Sequence, residues 1–180
     1  MLVKQWEKLP VDMQNEAVRP YYELLRKKVV SLIIKRLFDI IMSIVVLIVL
    51  FPIFLIVSLF IKTDSKGPVF YRQERVTQYG KIFKIFKFRT MVQDADKIGS
   101  LVTINNDTRV TKIGKKLRKY RLDEIPQLLN IFSGDMTFVG TRPEVPKYVA
   151  HYTDEMKVTL LLPAGVTSKA SIEYKDEEKI

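Results

Sequence analysis

Two adjacent carboxylates, Asp123 and Glu124, are the residues of this sequence that are best placed to do chemistry. Basic residues surround the pair: Arg118 and Arg121 precede it, and Arg142 follows it on a Gly-Thr-Arg-Pro turn. Fixed cations favour the ionised form of a carboxylate, and they also attract phosphates. A site that holds an anionic nucleophile beside an anionic substrate suits phosphoryl chemistry, and we predict that chemistry here.

The sequence around the pair predicts the elements that position it. Thr111 can cap a helix that continues to about Tyr120, because its side-chain oxygen can accept from a free backbone N–H. Pro126 suits the first position of a second helix, and Gly134 suits its end. The carboxylates would then lie at or just before a helix N-terminus, where backbone N–H groups point toward anions.

A long apolar segment lies upstream of this site. Ile40 to Ile61 contains no charged residue, and about 20 apolar residues are enough to cross a bilayer. Pro52 lies inside the segment and favours a break, because proline removes a backbone donor and clashes with the preceding turn. Both flanks are basic, so the positive-inside rule gives no clear orientation. A re-entrant helix broken at Pro52 removes that conflict, and a kinked spanning helix is the alternative.

Asp39 lies at the start of the apolar segment, one helical turn after Lys35 and Arg36. Residues at this spacing share a helix face. A carboxylate at the edge of a membrane is tolerated when such cations pair with it. We therefore expect Lys35, Arg36, Asp39 and Pro52 to define the membrane re-entry.

Composition limits the range of partners. The 180 residues carry a net charge of +10, and the basic excess is concentrated between Lys81 and Arg121. Such a charge suits nucleic acid, anionic lipid headgroups or a diphosphate, and the membrane segment favours the last two. The chain has no cysteine, which excludes disulfides and thiolate metal sites.

We divide the chain into an interfacial amphipathic segment (1–34), a re-entrant membrane helix (35–62) and a cytosolic catalytic domain (63–180). Trp6, Tyr21 and Tyr22 suit a headgroup belt, although the helix from Tyr21 to Arg36 could instead pack on the domain. Val69 to Glu74 and Ile82 to Arg89 predict a β-hairpin, with an amphipathic helix as the alternative for the second arm. Met91 to Leu101 predicts a short helix. The expected fold class is mainly α with a small β-hairpin (α+β).

Several motifs occur in an order that resembles a known family, the monotopic phosphoglycosyl transferases, also called bacterial sugar transferases. The matching segments are Lys35-Arg36-x-x-Asp39 with Pro52, Gly67 to Arg75, Phe86 to Met91, Leu122 to Gln127, Gly134 to Gly140, and Arg142-Pro143. Each motif is weak alone, but the ordered set from about residue 35 to 167 is specific.

The resemblance implies transfer of a sugar-1-phosphate from a UDP-sugar to a polyprenyl phosphate, usually undecaprenyl phosphate. UMP would leave, and surface glycan synthesis (capsule, exopolysaccharide or lipopolysaccharide) would begin at the cytoplasmic face of the bacterial inner membrane. The expected partners are these two substrates and membrane lipids, without nucleic acid, and an assembly of identical chains stays open. Mg²⁺ is the implied cofactor.

The resemblance also implies roles for individual residues. Asp123 matches a catalytic aspartate that forms a covalent phosphosugar intermediate and supplies a carboxylate to Mg²⁺, and Glu124 matches its partner. The implied substrate-binding residues are Arg118, Arg142, Pro143, Lys87, Arg89 and Gln127.

Three features depart from the family pattern. Phe51 precedes the membrane proline where a small polar residue is common, and Thr141 replaces the first proline of a Pro-Arg-Pro turn. Many relatives also continue beyond the position of Ile180, so we expect either a short member or a truncated chain. The alternative function is a membrane-tethered basic module that binds nucleic acid or lipid without catalysis, suggested by Phe83, Phe86 and Phe88 among basic residues.

Overall fold

The computed structural model describes residues 3–95 and 107–173. The fold is mostly helical with two small sheets, as the expected fold class requires. The helices are α1 (Arg19–Lys27), α2 (Val29–Asp64), α3 (Lys112–Lys119), α4 (Leu128–Ser133), α5 (Pro146–Val149) and α6 (Lys169–Glu173). The strands are β1 (Phe70–Val76), β2 (Ile82–Phe88), β3 (Met136–Val139) and β4 (Ala164–Thr167). Short 3₁₀ helices cover Trp6–Lys8, Val11–Met13, Gln78–Gly80, Leu122–Gln127 and Met156–Leu161.

Helix α2 is a single helix of 36 residues that includes Pro52. The predicted break at this proline is therefore wrong. Proline removes one backbone N–H, and the helix continues because side chains on both sides of it pack against the domain. Leu50 packs on one apolar cluster and Phe54 on another. Within the described ranges, α2 is the one helix long and apolar enough to cross a membrane.

The predicted hairpin is confirmed. Strands β1 and β2 pair antiparallel, from Phe70 opposite Phe88 to Val76 opposite Ile82. The alternative of an amphipathic helix for the second arm is wrong. Phe83 and Phe88 are buried, and Phe86 packs beneath the Arg72 guanidinium, whose carbon lies 3.4 Å from the ring centre. Phe83 and Phe88 are therefore not exposed for stacking on a base.

A second sheet was not predicted from the sequence. Strands β3 and β4 pair parallel, with Met136 opposite Ala164 and Val139 opposite Thr167. Gly140 and Gly165 lie so close that a Cβ on Gly165 would collide with the backbone of Gly140. Each strand has four residues, which is too short for an alternating pattern to stand out.

The N-terminal segment packs against the domain. Tyr22 is 3% exposed and joins a cluster with Val76 and Leu161. Trp6 packs edge-on against Tyr22, with ring centroids 5.0 Å apart. The headgroup-belt interpretation is therefore wrong for Tyr22, and packing on the domain, the alternative, is confirmed. The predicted helix from Tyr21 to Arg36 is divided at Lys28, where φ is −107°.

The helix predicted from Met91 to Leu101 is not present in its first residues. Met91 forms a β-bridge with Val110, and Asp94 has a φ of 58°, which lies outside the right-handed helical region. Residues 96–101 of that prediction lie outside the described residues.

Two of the three apolar clusters include α2. Val46, Leu47 and Leu50 pack against a cluster that contains Phe83, Leu128 and Ile131. About two and three turns after Leu50, Val57 and Ile61 are themselves buried with Phe88 and Leu117. One face of α2 thus packs against the domain from Val46 to Ile61, and the helix is not a tether joined at one end.

Candidate active site

The acidic pair lies on a short turn between two packed helices. Helix α3 begins as predicted at Thr111, whose hydroxyl accepts from the Gly114 N–H at 2.9 Å. The chain then reverses at Arg121, which has a φ of 53°, and enters the 3₁₀ helix that contains Asp123 and Glu124. Pro126 lies inside this 3₁₀ helix, and α4 begins only at Leu128. The carboxylates therefore lie in the first turn of a 3₁₀ helix, and not in the first turn of α4.

Strand β2 supplies a cation in direct contact with the pair. Lys87 Nζ lies 2.7 Å from Glu124 Oε1, and both side chains are mostly buried. Asn130 on α4 fixes this arrangement: its Nδ2 donates to Lys84 O at 3.0 Å and its Oδ1 accepts from Phe86 N at 2.8 Å. Asn130 was missed from the sequence, where the only signal was a polar residue inside the apolar run from Leu128 to Phe132.

The pKa values of the two carboxyl groups are shifted in opposite directions. Burial raises the pKa of Asp123 above its usual value, the charge of Glu124 adds to this, and the charges of Lys87 and Arg118 offset only part. Burial also acts to raise the pKa of Glu124, but the charge and hydrogen bond of Lys87, with Arg142 and Arg121, hold it below its usual value. Nearby cations thus outweigh burial at Glu124 but do not outweigh it at Asp123.

Arg118 reaches the pair from α3. Its Nε donates to Thr90 Oγ1 at 2.9 Å, and its charge acts on Asp123. Helix α3 can approach Thr90 this closely because residue 114 is glycine; a Cβ there would collide with the Thr90 carbonyl.

Arg142 and Pro143 follow β3 on the predicted turn. The charge of Arg142 acts on Glu124. Pro143 is buried, and its carbonyl accepts from Arg75 Nη1 at 3.0 Å. Arg75 lies on β1, also bonds Gln73 through Nη2 at 2.7 Å, and interacts electrostatically with Arg142 and Glu124. It is a cation near the site that the sequence analysis did not select.

Two predicted substrate-binding residues, Arg89 and Gln127, are buried. Arg89 is 5% exposed, and its guanidinium donates to the carbonyls of Lys66 and Ser65, the latter at 2.8 Å. These carbonyls follow the C-terminus of α2, so Arg89 holds the end of the membrane helix. Gln127 is buried within its 3₁₀ helix. The structure brings together Asp123, Glu124, Lys87, Arg118 and Arg142.

The residues predicted for membrane re-entry dock α2 on the domain. Asp39 is 1% exposed, lies 3.2 Å from Lys35 Nζ and accepts from Thr137 Oγ1 at 2.6 Å. Lys35 Nζ also contacts Thr137 Oγ1. The pairing of Asp39 with Lys35 is confirmed, and Thr137 on β3 is its unpredicted partner.

Arg36 has a different partner from the one expected. It donates to Ile131 O at 2.7 Å and Phe132 O at 3.1 Å. These carbonyls lie at the C-terminus of α4, where a cation is favourable. Gly134 ends this helix with a φ of 94°, as predicted.

Metal binding would depend on a substrate. Among residues 3–95 and 107–173, no group of three or more His, Cys, Asp or Glu side chains is arranged to hold an ion. Mg²⁺ often takes only one or two carboxylates, with phosphates and water as its other ligands. Asp123 fits that limited role, because Glu124 is already paired with Lys87.

A carboxylate pair among cations, in a protein with a long helix that exposes an apolar face, is typical of membrane-associated enzymes that act on phosphates. Comparison with known sequences places the chain within that class: the profile described as "Bacterial sugar transferase" matches residues 30–180. The chain therefore belongs to the bacterial sugar transferase family and is a transferase.

Individual relatives carry informative names. A Bacillus subtilis protein, named as a candidate undecaprenyl-phosphate N-acetylgalactosaminyl 1-phosphate transferase, is 39% identical over 135 residues, 75% of each chain. A UDP-glucose:undecaprenyl-phosphate glucose-1-phosphate transferase of Klebsiella pneumoniae is 40% identical over 148 residues, 79% of this chain and 31% of its own. An exopolysaccharide production protein of Rhizobium leguminosarum is 47% identical over 113 residues, 62% of this chain and 56% of its own. The chain thus spans three quarters of the first relative, about a third of the second and just over half of the third.

Proposed function

We propose that this protein transfers a sugar-1-phosphate from a UDP-sugar to a polyprenyl phosphate, usually undecaprenyl phosphate, and so begins surface glycan synthesis. The observation that carries the proposal is the pair Asp123–Glu124, held among Lys87, Arg118 and Arg142. Glu124 also lines the same pocket as Val46 and Leu50 of α2. One substrate is soluble and the other is a lipid, so their reaction requires an enzyme at the membrane surface.

In the first step, a carboxylate oxygen of Asp123 attacks the phosphorus that bears the sugar. The bond from that phosphorus to the bridging oxygen breaks, and UMP leaves with the electron pair. An aspartyl phosphosugar remains on the enzyme. In the second step, a phosphate oxygen of the polyprenyl phosphate attacks the same phosphorus, the bond to Asp123 breaks, and the carboxylate is regenerated. Two-step covalent transfer of this kind gives ping-pong kinetics.

The chain's own residues contribute position and charge. A carboxylate is a weak nucleophile, so alignment and charge neutralisation must supply most of the acceleration. Lys87 holds Glu124 in place, while Arg118 and Arg142 lie where they can neutralise the phosphates. The low pKa of Glu124 keeps it ionised, whereas the raised pKa of Asp123 makes this carboxylate the more basic of the pair. When bound, Mg²⁺ would neutralise charge on the diphosphate, with Asp123 as its protein ligand.

We further propose that α2 enters the cytoplasmic face of the inner membrane without crossing it, as in a monotopic protein. Support comes from contacts at both ends of the helix. Arg36 bonds to α4, and Asp64 Oδ2 accepts from the Ile113 N–H of α3 at 2.9 Å. A charged domain that binds both ends cannot lie on two sides of a bilayer. Between these ends α2 exposes an apolar face, including Ile41, Ile48 and Phe60.

Release of UMP tests the reaction. Purified protein in detergent is given a panel of UDP-sugars with Mg²⁺ and undecaprenyl phosphate, and Asp123→Asn is assayed beside it. We expect release that depends on the lipid at every turnover after the first, with one or a few preferred sugars, and no release by Asp123→Asn. Sustained release that is unchanged in this variant would disprove the mechanism.

A further inference from the structure

Two consecutive residues of β1 hold the turn that carries Arg142. Arg75 Nη1 donates to Pro143 O at 3.0 Å, and the Val76 N–H donates to Glu144 O at 2.9 Å. The two accepting carbonyls belong to the residues that directly follow Arg142. The backbone of Arg142 is therefore fixed on its C-terminal side by a strand of the hairpin.

The other side of this turn is held by β4. The Gly165 N–H donates to Thr141 O at 2.8 Å. Thr141 is exposed, and a threonine does not lock its own φ as a proline does. The shape of the segment 141–144, which we call the Arg142 turn, is therefore set largely by hydrogen bonds from its neighbours.

The guanidinium of Arg75 is itself held in one orientation. Its Nε and Nη2 donate to Gln73 Oε1 at 3.2 and 2.7 Å, and its Nη1 donates to Pro143 O. Three of the five N–H groups of an arginine side chain are thus engaged within the protein. We call these contacts the Arg75 brace, because a planar fork held by two acceptors links β1 to the turn with little freedom.

The strand that carries the brace also supports the acidic pair. Gln73 and Arg75 share a face of β1 with Tyr71, because alternate residues of a strand point to the same side. Tyr71 lies opposite Lys87 in the hairpin, and residues directly opposite each other share a face. Lys87 in turn pairs with Glu124 at 2.7 Å. One face of the hairpin therefore holds both a carboxylate of the pair and the turn that follows β3.

Arginine suits this task better than lysine would. Its fork is planar and rigid, whereas lysine carries one compact charge on a flexible stem. Burial and the charge of Arg142 act to lower the pKa of Arg75, and Glu144 offsets part of this. The hydrogen bonds of the brace end on the neutral oxygens of Gln73 and Pro143. The geometry of the fork therefore connects β1 to the turn, more than attraction between opposite charges does.

We propose that Arg75, oriented by Gln73, is a positioning residue for the first phosphoryl step. It holds the Arg142 turn so that the Arg142 guanidinium meets the diphosphate of the nucleotide sugar beside the acidic pair. The inference rests on the proposed function and adds a residue that acts through Arg142 without touching substrate. A misplacement of about 1 Å can cost about 100-fold in rate, so loss of the brace should impair use of the donor although Arg142 is still present.

Hydrogen exchange tests the brace without any reaction. The backbone amides of the Arg142 turn and of Val76 are followed by mass spectrometry in the full chain, in Arg75→Met and in Arg72→Met. Arg72 lies on the same strand with an exposed side chain and is the control. We expect these amides to exchange at least tenfold faster in Arg75→Met and at the normal rate in Arg72→Met. Normal exchange in folded Arg75→Met would overturn the proposal.

Two further variants separate geometry from charge. Arg75→Lys keeps the positive charge and loses the fork, whereas Gln73→Leu keeps Arg75 and removes the acceptor that orients it. In ping-pong kinetics each kcat/KM reports only its own half-reaction. We expect both variants to lower kcat/KM for the UDP-sugar at least fivefold and to leave kcat/KM for undecaprenyl phosphate within twofold. Gln73→Leu carries this test if Arg75→Met does not fold. Normal use of the donor by Arg75→Lys would show that charge alone suffices and would contradict the proposal.

The coupling between Arg75 and Arg142 tests whether one acts through the other. We compare kcat/KM for the UDP-sugar in Arg75→Met, Arg142→Met and the double variant. Independent roles multiply the two losses, whereas residues that act as a unit do not. We expect the double variant to stay within twofold of Arg142→Met, and multiplied losses would refute the inference while leaving the proposed function intact. If the unaltered protein uses no donor but exchange in the turn still depends on Arg75, the proposed function fails and the brace stands.

Discussion

Asp123 and Glu124 are neighbours in sequence but occupy different electrostatic environments. Lys87 pairs with Glu124 at 2.7 Å, and burial leaves Asp123 with a raised pKa. A more basic carboxylate is a better nucleophile, provided that it is ionised at the working pH. The structure therefore distinguishes Asp123 from Glu124. From the sequence alone, the surrounding basic residues had predicted the same environment for both.

Removing the charge of Asp123 should stabilise the fold at neutral pH. A carboxyl group whose folded pKa is raised is harder to ionise in the folded state, so its charge costs stability above that pKa and the cost disappears as the pH falls through it. We expect Asp123→Asn to unfold at a higher temperature than the unaltered protein at pH 7.5, with the difference shrinking toward pH 4. Thermal unfolding across that range is the measurement, and a lower unfolding temperature at pH 7.5 would contradict the raised pKa.

Removing the charge of Glu124 should have the opposite effect on stability. Its folded pKa is lowered, so its charge contributes stability above the unfolded pKa, and this contribution is lost as the pH falls through the folded pKa. Glu124→Gln should therefore lower the unfolding temperature at pH 7.5 and have less effect in acid. Scans of the two variants side by side provide the comparison, and shifts of the same sign at pH 7.5 would refute opposite environments.

Lys87 should be essential for activity, whereas its neighbour on the same strand should not. Removing one preorganised charge-stabilising group typically costs about 100- to 1000-fold in kcat. We expect Lys87→Met to lose at least about 100-fold, and its residual activity to require higher pH because Lys87 lowers the pKa of both carboxyl groups. Lys84→Met, at an exposed position of β2, is the control and should be near normal. Similar losses in both variants would remove Lys87 from the site.

At the scale of elements, α2 is attached to the domain by polar contacts as well as by apolar packing. Asp39 connects Lys35 on its own helix to Thr137 on β3, and Arg89 bonds to the carbonyls that follow Asp64. Asp39 had been assigned to the membrane re-entry and Arg89 to substrate binding. Both residues instead hold α2 in place on the domain. A shift of α2 would therefore displace α3, which carries Arg118. It would also displace β3, which precedes Arg142.

Loss of the Asp39 carboxylate should weaken this attachment. A hydrogen bond to a charged group contributes about 1.5–3 kcal/mol, so Asp39→Ala should reduce the free energy of unfolding by an amount of that order. Asp12→Ala is the control, because this carboxylate is mostly exposed and surface changes usually stay within about 0.5 kcal/mol. Denaturant titration in detergent measures both. Equal effects would show that Asp39 does not hold α2.

The sequence predicted elements where local rules dominate. The Thr111 cap, the Gly134 helix end, the hairpin and the Lys35–Asp39 pair all depend on residues close together in the chain. It failed where distant packing decides: α2 continues through Pro52 because the domain supports both halves, and Tyr22 is buried by Leu160 and Leu161. Strands β3 and β4 lie more than 20 residues apart, so no local signal could pair them. The site motifs located the acidic pair, but only the structure separated Arg89 from the other cations.

At the scale of the whole molecule, one long helix and one charged domain share a core. The domain contacts α2 from Arg36 to Asp64, and the remaining face of the same helix is apolar and exposed. This arrangement explains how a soluble and a lipid substrate could meet at one carboxylate pair. It also makes a prediction about topology that differs from that for a spanning helix.

Cysteine labelling tests this topology cleanly, because the chain has no native cysteine. Lys27→Cys and Lys66→Cys place single thiols at exposed positions on either side of α2. We expect a membrane-impermeant maleimide to label neither in intact spheroplasts and both in inverted vesicles. Labelling of one site from outside would show that α2 crosses the membrane.

The most direct measurement of the central claim is the mass of the protein after mixing with its UDP-sugar and Mg²⁺ in the absence of lipid. Proposed covalent transfer predicts an increase equal to one sugar phosphate, located by peptide mapping on Asp123. The increase should disappear on addition of undecaprenyl phosphate and be absent from Asp123→Asn. Sustained turnover with lipid but no adduct without it, or an adduct on another residue, would contradict nucleophilic catalysis by Asp123.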